Sequence, residues 1–306
     1  MITMNKRVSL DDLSEQRDAQ LALWPLAKEN YSALGRVETK VFRLGDFPMM
    51  AMHNPARIKS TGAAVDKKSI AERPCFLCRA NRPEQQLQDT ILPGWDFLVN
   101  PYPILPMHFT IVSTRHVPQA GLPLEAASMA EMMPGMTVFF NGAKAGASAP
   151  DHLHLQAVMA SELPLLRIAE DNHPSGRPGI MSSEDFGLDL PFGFFSAVIT
   201  PDDCGMRTLA AVAKAEGVDA VSGEPDSGLV NIFLWIDKEG LLRAVVVPRS
   251  AHRPSCYFKD EPDKMIISPG ALDMAGIMVV PRREDFERLD IDDVRKIYSE
   301  TGCRLK

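Results

Sequence analysis

The sequence predicts an α+β fold built on antiparallel sheet. Apolar runs of strand length occur in both halves of the chain, and helical patterns stand between some of them without a steady alternation of strand and helix. In the second half, two such runs over residues 229–236 and 241–247 are separated by Asp237-Lys238-Glu239-Gly240, which is typical of a hairpin. The hairpin and the mixed order of elements favour the α+β class.

The first half is predicted to begin with a helix and to continue mainly with strands. Ser9 begins a capping box, and the helix that follows should end at Pro25. The segment from Asn54 to Pro74 has little periodicity and is interpreted as loop. A second helix is expected over residues 124–133. Strands are expected over residues 37–42, 47–52, 95–99, 109–112, 136–140 and 152–158.

The second half is predicted to repeat this mixture. Beside the hairpin, a strand is expected over residues 193–199, and Thr200-Pro201-Asp202-Asp203 should open a helix that runs towards Lys214. Asp290 caps a last helix, which should end at Gly302. Residues 110–116 and 245–252 are alike, since each is an apolar strand followed by a basic residue and a histidine. This short likeness is consistent with two related halves.

Composition and charge exclude several classes of protein. The 306 residues are 45% hydrophobic and 24% charged, which are ordinary globular values. Lys and Arg number 33 against 40 Asp and Glu, a net charge of −7, and no basic stripe typical of a nucleic-acid binder is visible. No apolar run reaches the ~18 residues of a membrane span, and a secretory signal is not expected, because no apolar core follows residues 1–7. We expect a cytoplasmic protein with neither a nucleic-acid nor a membrane partner.

The most informative segment is His152-Leu153-His154-Leu155-Gln156. On a strand, alternate residues share a face, so His152, His154 and Gln156 should point one way while the two leucines pack into a core. The preceding loop, residues 141–150, consists almost entirely of small residues, which would let backbone N–H groups approach a phosphate. A bare histidine pair can also be two core histidines bonded to carbonyls. The glutamine, the alternation and the loop favour a functional site.

This segment resembles the His-x-His-x-Gln motif of the histidine-triad-like nucleotidyltransferases and phosphorylases. That superfamily includes galactose-1-phosphate uridylyltransferase, the GDP-hexose phosphorylases and diadenosine tetraphosphate phosphorylase. The resemblance implies a histidine-triad-like antiparallel sheet with flanking helices. It also implies that His154 is the nucleophile and that Gln156 holds phosphate oxygens. A neutral imidazole suits this role, because it attacks phosphorus near neutral pH and leaves readily.

Four further residues are candidates for binding the substrate. Asn141 and Ser148 resemble the Asn…Gly-x-Ser loop of the uridylyltransferase, although Gly146 stands one position closer to the asparagine. Asn100 lies in a segment similar to the strand-turn that contacts the nucleoside in this superfamily, and the alternative is a residue that only forms the turn. Arg57 is a candidate for binding phosphate, and the alternative is an exposed arginine.

A metal site is predicted from Cys75-Phe76-Leu77-Cys78, because this spacing lets two thiolates bind one zinc ion. Buried thiols and a redox dithiol are the alternatives, and the bulky residues between the cysteines disfavour the redox motif. The resemblance supplies His116 and His152 as the other two ligands. Zinc would then have a structural role in anchoring the strand that carries His154. Cys204, Cys256 and Cys303 have no ligand spacing and are expected to be small buried hydrophobes.

Other residues have weaker indications. His108 begins a strand in a segment that resembles histidine-triad proteins, and we expect a structural role for it. Arg249, His252 and Arg253 form a basic patch that could meet a phosphate, although solvated surface is the favoured interpretation. Residues 268–280 and 282–286 resemble the C-terminal region of GDP-hexose phosphorylases. The resemblance therefore extends over most of the chain.

The leading hypothesis is a nucleotidyltransferase or phosphorylase acting on a nucleotide sugar or dinucleoside polyphosphate through a covalent nucleotidyl-His154. A nucleotide hydrolase of the same superfamily and an inactive, zinc-stabilised binding protein are the alternatives. The acceptor is open between phosphate, sugar phosphate and water, as are the base and the presence of a homodimer. Residues 1–35 are interpreted as a helical segment, 36–160 as the half with the motif and the zinc site, and 161–306 as a degenerate second half.

Overall fold

The structure is a computed structural model that describes residues 7–62, 67–200, 202–215 and 228–305. Its helices and strands confirm the expected α+β class. The strands are β1 Glu38–Leu44, β2 Phe47–His53, β3 Asp89–Leu92, β4 Trp95–Val99, β5 Phe109–Ser113, β6 Met136–Asn141, β7 His154–Met159, β8 Gly179–Ser182, β9 Phe195–Ile199, β10 Val230–Ile236, β11 Leu242–Pro248 and β12 Ile277–Val280. The helices are α1 Leu10–Leu23, α2 Pro25–Leu34, α3 Ile58–Thr61, α4 Lys67–Ala71, α5 Ala126–Met132, α6 Pro164–Asn172, α7 Asp203–Ala215, α8 Ala271–Met274, α9 Arg283–Arg288 and α10 Ile291–Thr301. Short 3-10 turns lie at Pro55–Arg57, Arg79–Asn81, Ala160–Glu162 and Ser255–Phe258.

Within the described residues, nine strands form one antiparallel sheet in the order β3-β4-β5-β7-β6-β10-β11-β9-β8. The strand orders β4-β5-β7-β6 and β8-β9-β11-β10 have the same connectivity when each is followed towards the centre of the sheet, and β3 lies outside this repeat at one edge. The two halves meet where β6 pairs with β10. This repeat agrees with the expected two related halves. In this repeat, however, the counterpart of β11 is β7. Residues 110–116 begin in β5 and residues 245–252 begin in β11, so their likeness does not relate equivalent strands.

The two faces of this sheet carry separate cores, because successive side chains of a strand point to opposite faces. One face includes Phe97 and Phe109 and is covered by α1, α5 and α7. The other includes Phe139 and Phe233, and it packs against α6, α8, α9, α10 and a second sheet. That second sheet has the order β1-β2-β12, with β12 parallel to β2. His154 and Gln156 lie on this second face, since Gln156 pairs with Phe139.

The capping predictions agree with the structure. The Ser9 side chain accepts from the Asp12 amide and α1 ends before Pro25, while the Asp290 side chain accepts from the Asp293 amide at 2.9 Å. Pro25 is also the first residue of α2, a helix that was not expected, and proline is well suited to that position. The proposed proline start of α7 involves Pro201, which lies outside the described residues.

One loop prediction is wrong. The segment from Asn54 to Pro74 contains α3 and α4, which have four and five residues and are too short to show a periodic pattern. Across the described ranges, no helix has both the length and the apolar character that crossing a membrane requires.

Candidate functional site

A cavity of about 650 Å³ opens on the second face of the large sheet. This volume is in the range of small-molecule sites. Residues from both halves form its wall, including β4–β7 on one side and the segment around α8 on the other. The residues that were predicted to act on or bind the substrate all line it, namely Arg57, Asn100, Asn141, Ser148, His154 and Gln156.

His154 is the first residue of β7, where β6 and β7 cease to pair. Gln119 fills the gap between the strands, because its amide accepts from the His154 N–H at 2.8 Å and donates to the carbonyls of His154 and Asn141, each at 2.9 Å. Gln119 is 1% exposed and was not singled out in the sequence. It lies in a loop without a motif, so no sequence signal identified it.

The ring of His154 is held in one tautomer. Its Nδ1 lies 2.8 Å from the carbonyl oxygen of His152. A carbonyl can only accept, so Nδ1 carries the proton and Nε2 keeps its lone pair. Burial, with a smaller contribution from the nearby ring of His152, lowers the pKa of this imidazole to about 4, so the ring is neutral at neutral pH. His154 therefore has the form that a nucleophile needs.

Gln156 is oriented by His108. The backbone N–H of Ile104 donates to His108 Nδ1 at 3.1 Å, so the proton of this ring is on Nε2, which donates to Gln156 Oε1 at 2.7 Å. Asn100 Nδ2 lies 3.5 Å from the same oxygen. Because the Gln156 oxygen accepts these bonds, its NH2 group faces the cavity and can donate to a ligand there. Burial lowers the pKa of His108 to about 3, and the charge of Arg57 contributes.

Asn141 joins the two halves of the chain. Its Oδ1 accepts from the Ala271 N–H at 2.7 Å and from Asn231 Nδ2 at 3.1 Å. The following loop touches the same turn, because a Cβ at Gly146 would lie 2.4 Å from the Cα of Gly270. The loop next to His154 is therefore fixed by the second half.

The small-residue loop provides fewer free amides than expected. The backbone N–H groups of Gly142, Lys144 and Ala145 donate to the carbonyls of Val230, Gly228 and Gly142, at 2.9, 2.8 and 2.9 Å. These groups cannot also cradle a phosphate. Ser148 lines the cavity, and its carbonyl accepts from Arg73 Nη2 at 3.4 Å.

Asn100 and Arg57 meet at the turn that follows β4. Asn100 Oδ1 accepts from the Tyr102 N–H at 2.9 Å, and Arg57 Nη1 donates to the Tyr102 carbonyl at 2.6 Å. Asn100 thus forms the turn while also lining the cavity, and its contact with a ribose stays a prediction. Arg57 is partly buried, so the exposed-arginine alternative does not hold. Burial lowers its pKa to about 10, which leaves it charged at neutral pH.

The solvated-surface interpretation of the second-half basic patch is wrong. Arg249 is only 3% exposed and donates to Asn231 Oδ1 at 2.6 Å and to the Pro269 carbonyl at 3.0 Å. His252 and Arg253 line the cavity. Asp273 lines it as well, and burial raises the pKa of this carboxyl to about 6. The partners of these groups come from distant parts of the chain, so local sequence could not indicate their burial.

Another part of the wall is apolar and was not predicted. Trp24 and Leu26, at the junction of α1 and α2, lie on the same cavity as Phe76, Leu77 and Leu98. The only sequence signal at this junction is the proline that separates the two helices. A flat apolar group of a ligand would fit this part of the wall better than the polar part.

The four predicted metal ligands come together beside the cavity. Their ligand atoms lie within 4.8 Å of one another. His152 Nδ1 is 3.3 Å from Cys75 Sγ and 3.6 Å from Cys78 Sγ, and His116 Nδ1 is 3.2 Å from Cys78 Sγ. Tetrahedral zinc with ordinary bond lengths separates S and N ligands by about 3.5 Å. The cluster can therefore hold a metal ion, and its donor set fits zinc.

The metal cluster has two further structural features. His152 Nε2 donates to the Ser113 carbonyl at 2.8 Å, which leaves Nδ1 facing the thiols. His152 precedes β7 and does not line the cavity, so the expectation that it shares a face with His154 and Gln156 is wrong.

The three cysteines outside the cluster are not fully buried. Cys204 is exposed and Cys256 and Cys303 are partly buried, unlike the expected buried hydrophobes.

The comparisons with known proteins identify the fold. A family model described as a domain of unknown function (DUF4922) matches residues 17–159, slightly less than half of the chain. The structure is similar to that of yeast Ap4A phosphorylase Apa2 in complex with Ap4A, at 17% identity and a TM-score of 0.59, with 95% of this chain and 97% of the other covered. The complex of Apa2 with AMP gives 18% identity, a TM-score of 0.57 and coverages of 92% and 96%. No curated protein matches the sequence. The expected α+β fold with a large antiparallel sheet is thus confirmed, and over most of the chain it is similar to the fold of Apa2.

Proposed function

We propose that this chain is a nucleotidyltransferase or phosphorylase that accepts a nucleotidyl group on His154 from a nucleotide sugar or dinucleoside polyphosphate. The observation that supports this most is the hydrogen bond from His154 Nδ1 to the His152 carbonyl, which leaves a neutral Nε2 lone pair in a ligand-sized cavity. The similar yeast protein is an Ap4A phosphorylase whose structures include Ap4A and AMP. That similarity supports a nucleotide substrate.

In the first step, His154 Nε2 attacks the phosphorus atom attached to the nucleoside. A P–N bond forms while the P–O bond to the leaving group breaks, and the electron pair goes to the leaving group, which is a sugar phosphate from a nucleotide sugar or a nucleoside polyphosphate from a dinucleoside polyphosphate. The imidazole becomes positively charged, and its Nδ1–H remains bonded to the His152 carbonyl, which stabilises that charge. The Gln156 amide can donate to the oxygens of the phosphorus as negative charge develops on them.

In the second step, an oxygen of the acceptor attacks the same phosphorus. The P–N bond breaks and its electron pair returns to Nε2, so His154 recovers the neutral form with which it began. Phosphate as acceptor would make the chain a phosphorylase, and a sugar phosphate would make it a transferase.

Cys75, Cys78, His116 and His152 would hold a structural zinc ion. Bound zinc would supply a fixed point for the backbone ahead of β7, with no part in the bond changes. The carbonyl of His152 orients His154, so a ligand of the metal and the orienting group of the nucleophile belong to one residue.

The test is a panel of nucleotide sugars and dinucleoside polyphosphates, each supplied with and without inorganic phosphate, with products measured by chromatography. Turnover that depends on phosphate or on a sugar phosphate supports the proposal, and turnover with water alone would identify a hydrolase instead. A His154→Gln variant should lose turnover. His53→Gln is the control, since His53 bonds to the Val280 carbonyl and does not line the cavity.

Binding of nucleotide by the wild type without any turnover would contradict the proposal. It would favour the alternative of a binding protein stabilised by a metal ion.

A further inference from the structure

We propose that His252 and Arg253, together with Arg57 and Ser268, form an anion subsite in the same cavity that binds a second phosphate group. This inference rests on the proposed function, because it assigns a place for the phosphate that departs from or attacks the nucleotidyl group. It would make the acceptor a phosphate or a phosphate monoester.

The first observation is the position of Arg253. Its Nε donates to Ser268 Oγ at 3.1 Å and its Nη2 lies 3.4 Å from the Thr61 carbonyl. The guanidinium also stacks on Tyr257, 4.2 Å from the ring centroid. Contacts from both halves of the chain thus hold this cation at the cavity wall, and a fixed guanidinium is well suited to binding an oxyanion.

The second observation is the charge of the cavity. Among the described residues that line it, Arg57, Arg73 and Arg253 are cations and Asp273 is the acidic residue. Asp273 accepts from the N–H groups of Gly270 and Val279, at 2.9 and 2.8 Å, so its carboxylate is engaged with backbone. The chain as a whole has a net charge of −7. A cavity with an excess of arginine in an acidic protein favours an anionic ligand.

The third observation is His252. It is partly buried on the cavity wall, and within the described part of the chain its ring makes no hydrogen bond. Its ring nitrogens are therefore not engaged by the described protein groups and are available to a ligand in the cavity. A phosphate oxygen would accept from its N–H while the neighbouring Arg253 supplies charge.

The subsite is close to the nucleophile but separate from it. The loop beside His154 contacts the second-half turn at Gly270 and Ala271, whereas Arg253 contacts the same turn at Ser268. Three residues of extended chain span at most about 11 Å. The second or third phosphate of a donor, or an attacking phosphate, would therefore lie within reach of these groups while the first phosphate is at His154.

The test measures binding of inorganic phosphate and of pyrophosphate by titration calorimetry, with a His154→Gln protein as the background so that no chemistry occurs. Arg253→Met and His252→Asn should each weaken binding at least about 10-fold, because each removes a hydrogen bond to a charged group. Arg295→Met, at an exposed arginine of α10, should bind as the background protein does. Thermal melting checks that each variant folds, and Arg253→Lys, which keeps the charge, should give an intermediate loss.

Undiminished binding in both Arg253→Met and His252→Asn would overturn the subsite. Binding that depends on Arg253 would support it even if His154 never carries a nucleotidyl group, so the two proposals can fail separately. In the active enzyme, a raised KM for phosphate with an unchanged KM for the donor would assign the subsite to the acceptor. The opposite change would assign it to the leaving group.

Discussion

His108 Nε2 donates a hydrogen bond to Gln156 Oε1 across 2.7 Å. The direction of this bond follows from the Ile104 N–H, which donates to the other ring nitrogen of His108. Gln156 therefore meets the cavity with its NH2 group, which is the donor that a phosphate oxygen requires. The structural role expected for His108 thus includes orienting a proposed substrate-binding side chain.

Removing this bond should lower catalysis more than binding. In a His108→Leu variant the Gln156 amide can rotate, so kcat should fall about 10-fold while the KM of the donor changes little. His108→Gln keeps a side-chain donor and should restore part of the activity. Steady-state kinetics of the two variants check this, and an equal loss in both would indicate a role in packing alone.

His108 should also make stability depend on pH. Its pKa is about 3 in the folded chain against an ordinary 6.5, so below pH 6.5 the unfolded chain takes up a proton that the folded chain refuses. Stability is therefore lost as the pH falls from 6.5 towards 3, at up to about 1.4 kcal/mol per pH unit for this group. Urea midpoints at pH 7 and pH 5 should fall more in the wild type than in His108→Leu. The same fall in both would contradict the assignment.

Gly146 should not tolerate a side chain. Its φ is +99°, and a Cβ would lie 2.4 Å from the Cα of Gly270, which is backbone that cannot rotate away. Gly146→Ala should destabilise the protein by about 2 kcal/mol or more and should reduce activity, because it separates the loop beside His154 from the second half. Thermal melting and turnover measure the two effects.

Gly94→Ala is the matched control for this substitution. Gly94 has a φ of +88° but nothing within 4 Å of an added Cβ, so the change isolates the cost of the backbone conformation, about 1 kcal/mol. Equal destabilisation by Gly94→Ala and Gly146→Ala would show that the contact with Gly270 contributes nothing.

Removing the metal ligands should destabilise the protein without changing any residue that lines the cavity. The wild type should contain about one zinc ion per chain, and Cys75→Ser/Cys78→Ser should contain none and melt at a lower temperature. Cys256→Ser should keep the metal, because Cys256 is outside the cluster. Elemental analysis of the three proteins tests this, and a metal-free wild type would refute the zinc proposal.

Local patterns predicted much of the fold. The capping boxes at Ser9 and Asp290 and the apolar strands were visible in the sequence because they depend on neighbouring residues. The short helices between Asn54 and Pro74 were missed because they have no periodic pattern. The pairing of β6 with β10, which joins the halves, depends on residues about 90 positions apart.

The candidate site was predicted less completely than the fold. Spacing and the family resemblance indicated the four residues of the candidate metal cluster and the motif around His154. Resemblance could not reveal Gln119, whose amide bridges two diverging strands. Arg249 and His252 were assigned to the surface because burial is set by tertiary contacts such as that of Arg249 with Asn231. Neighbouring residues in the sequence do not indicate such contacts, so the burial of these side chains could not be predicted.

The covalent step on His154 is tested most directly by trapping. The wild type is mixed with a donor labelled at the phosphorus next to the nucleoside, quenched under basic conditions, digested and analysed by mass spectrometry. We expect the mass of one nucleotidyl group on the peptide that contains His154, lost on acid treatment and absent from His154→Gln. Turnover of the donor with no label on that peptide, or with the label on another residue, would contradict the account.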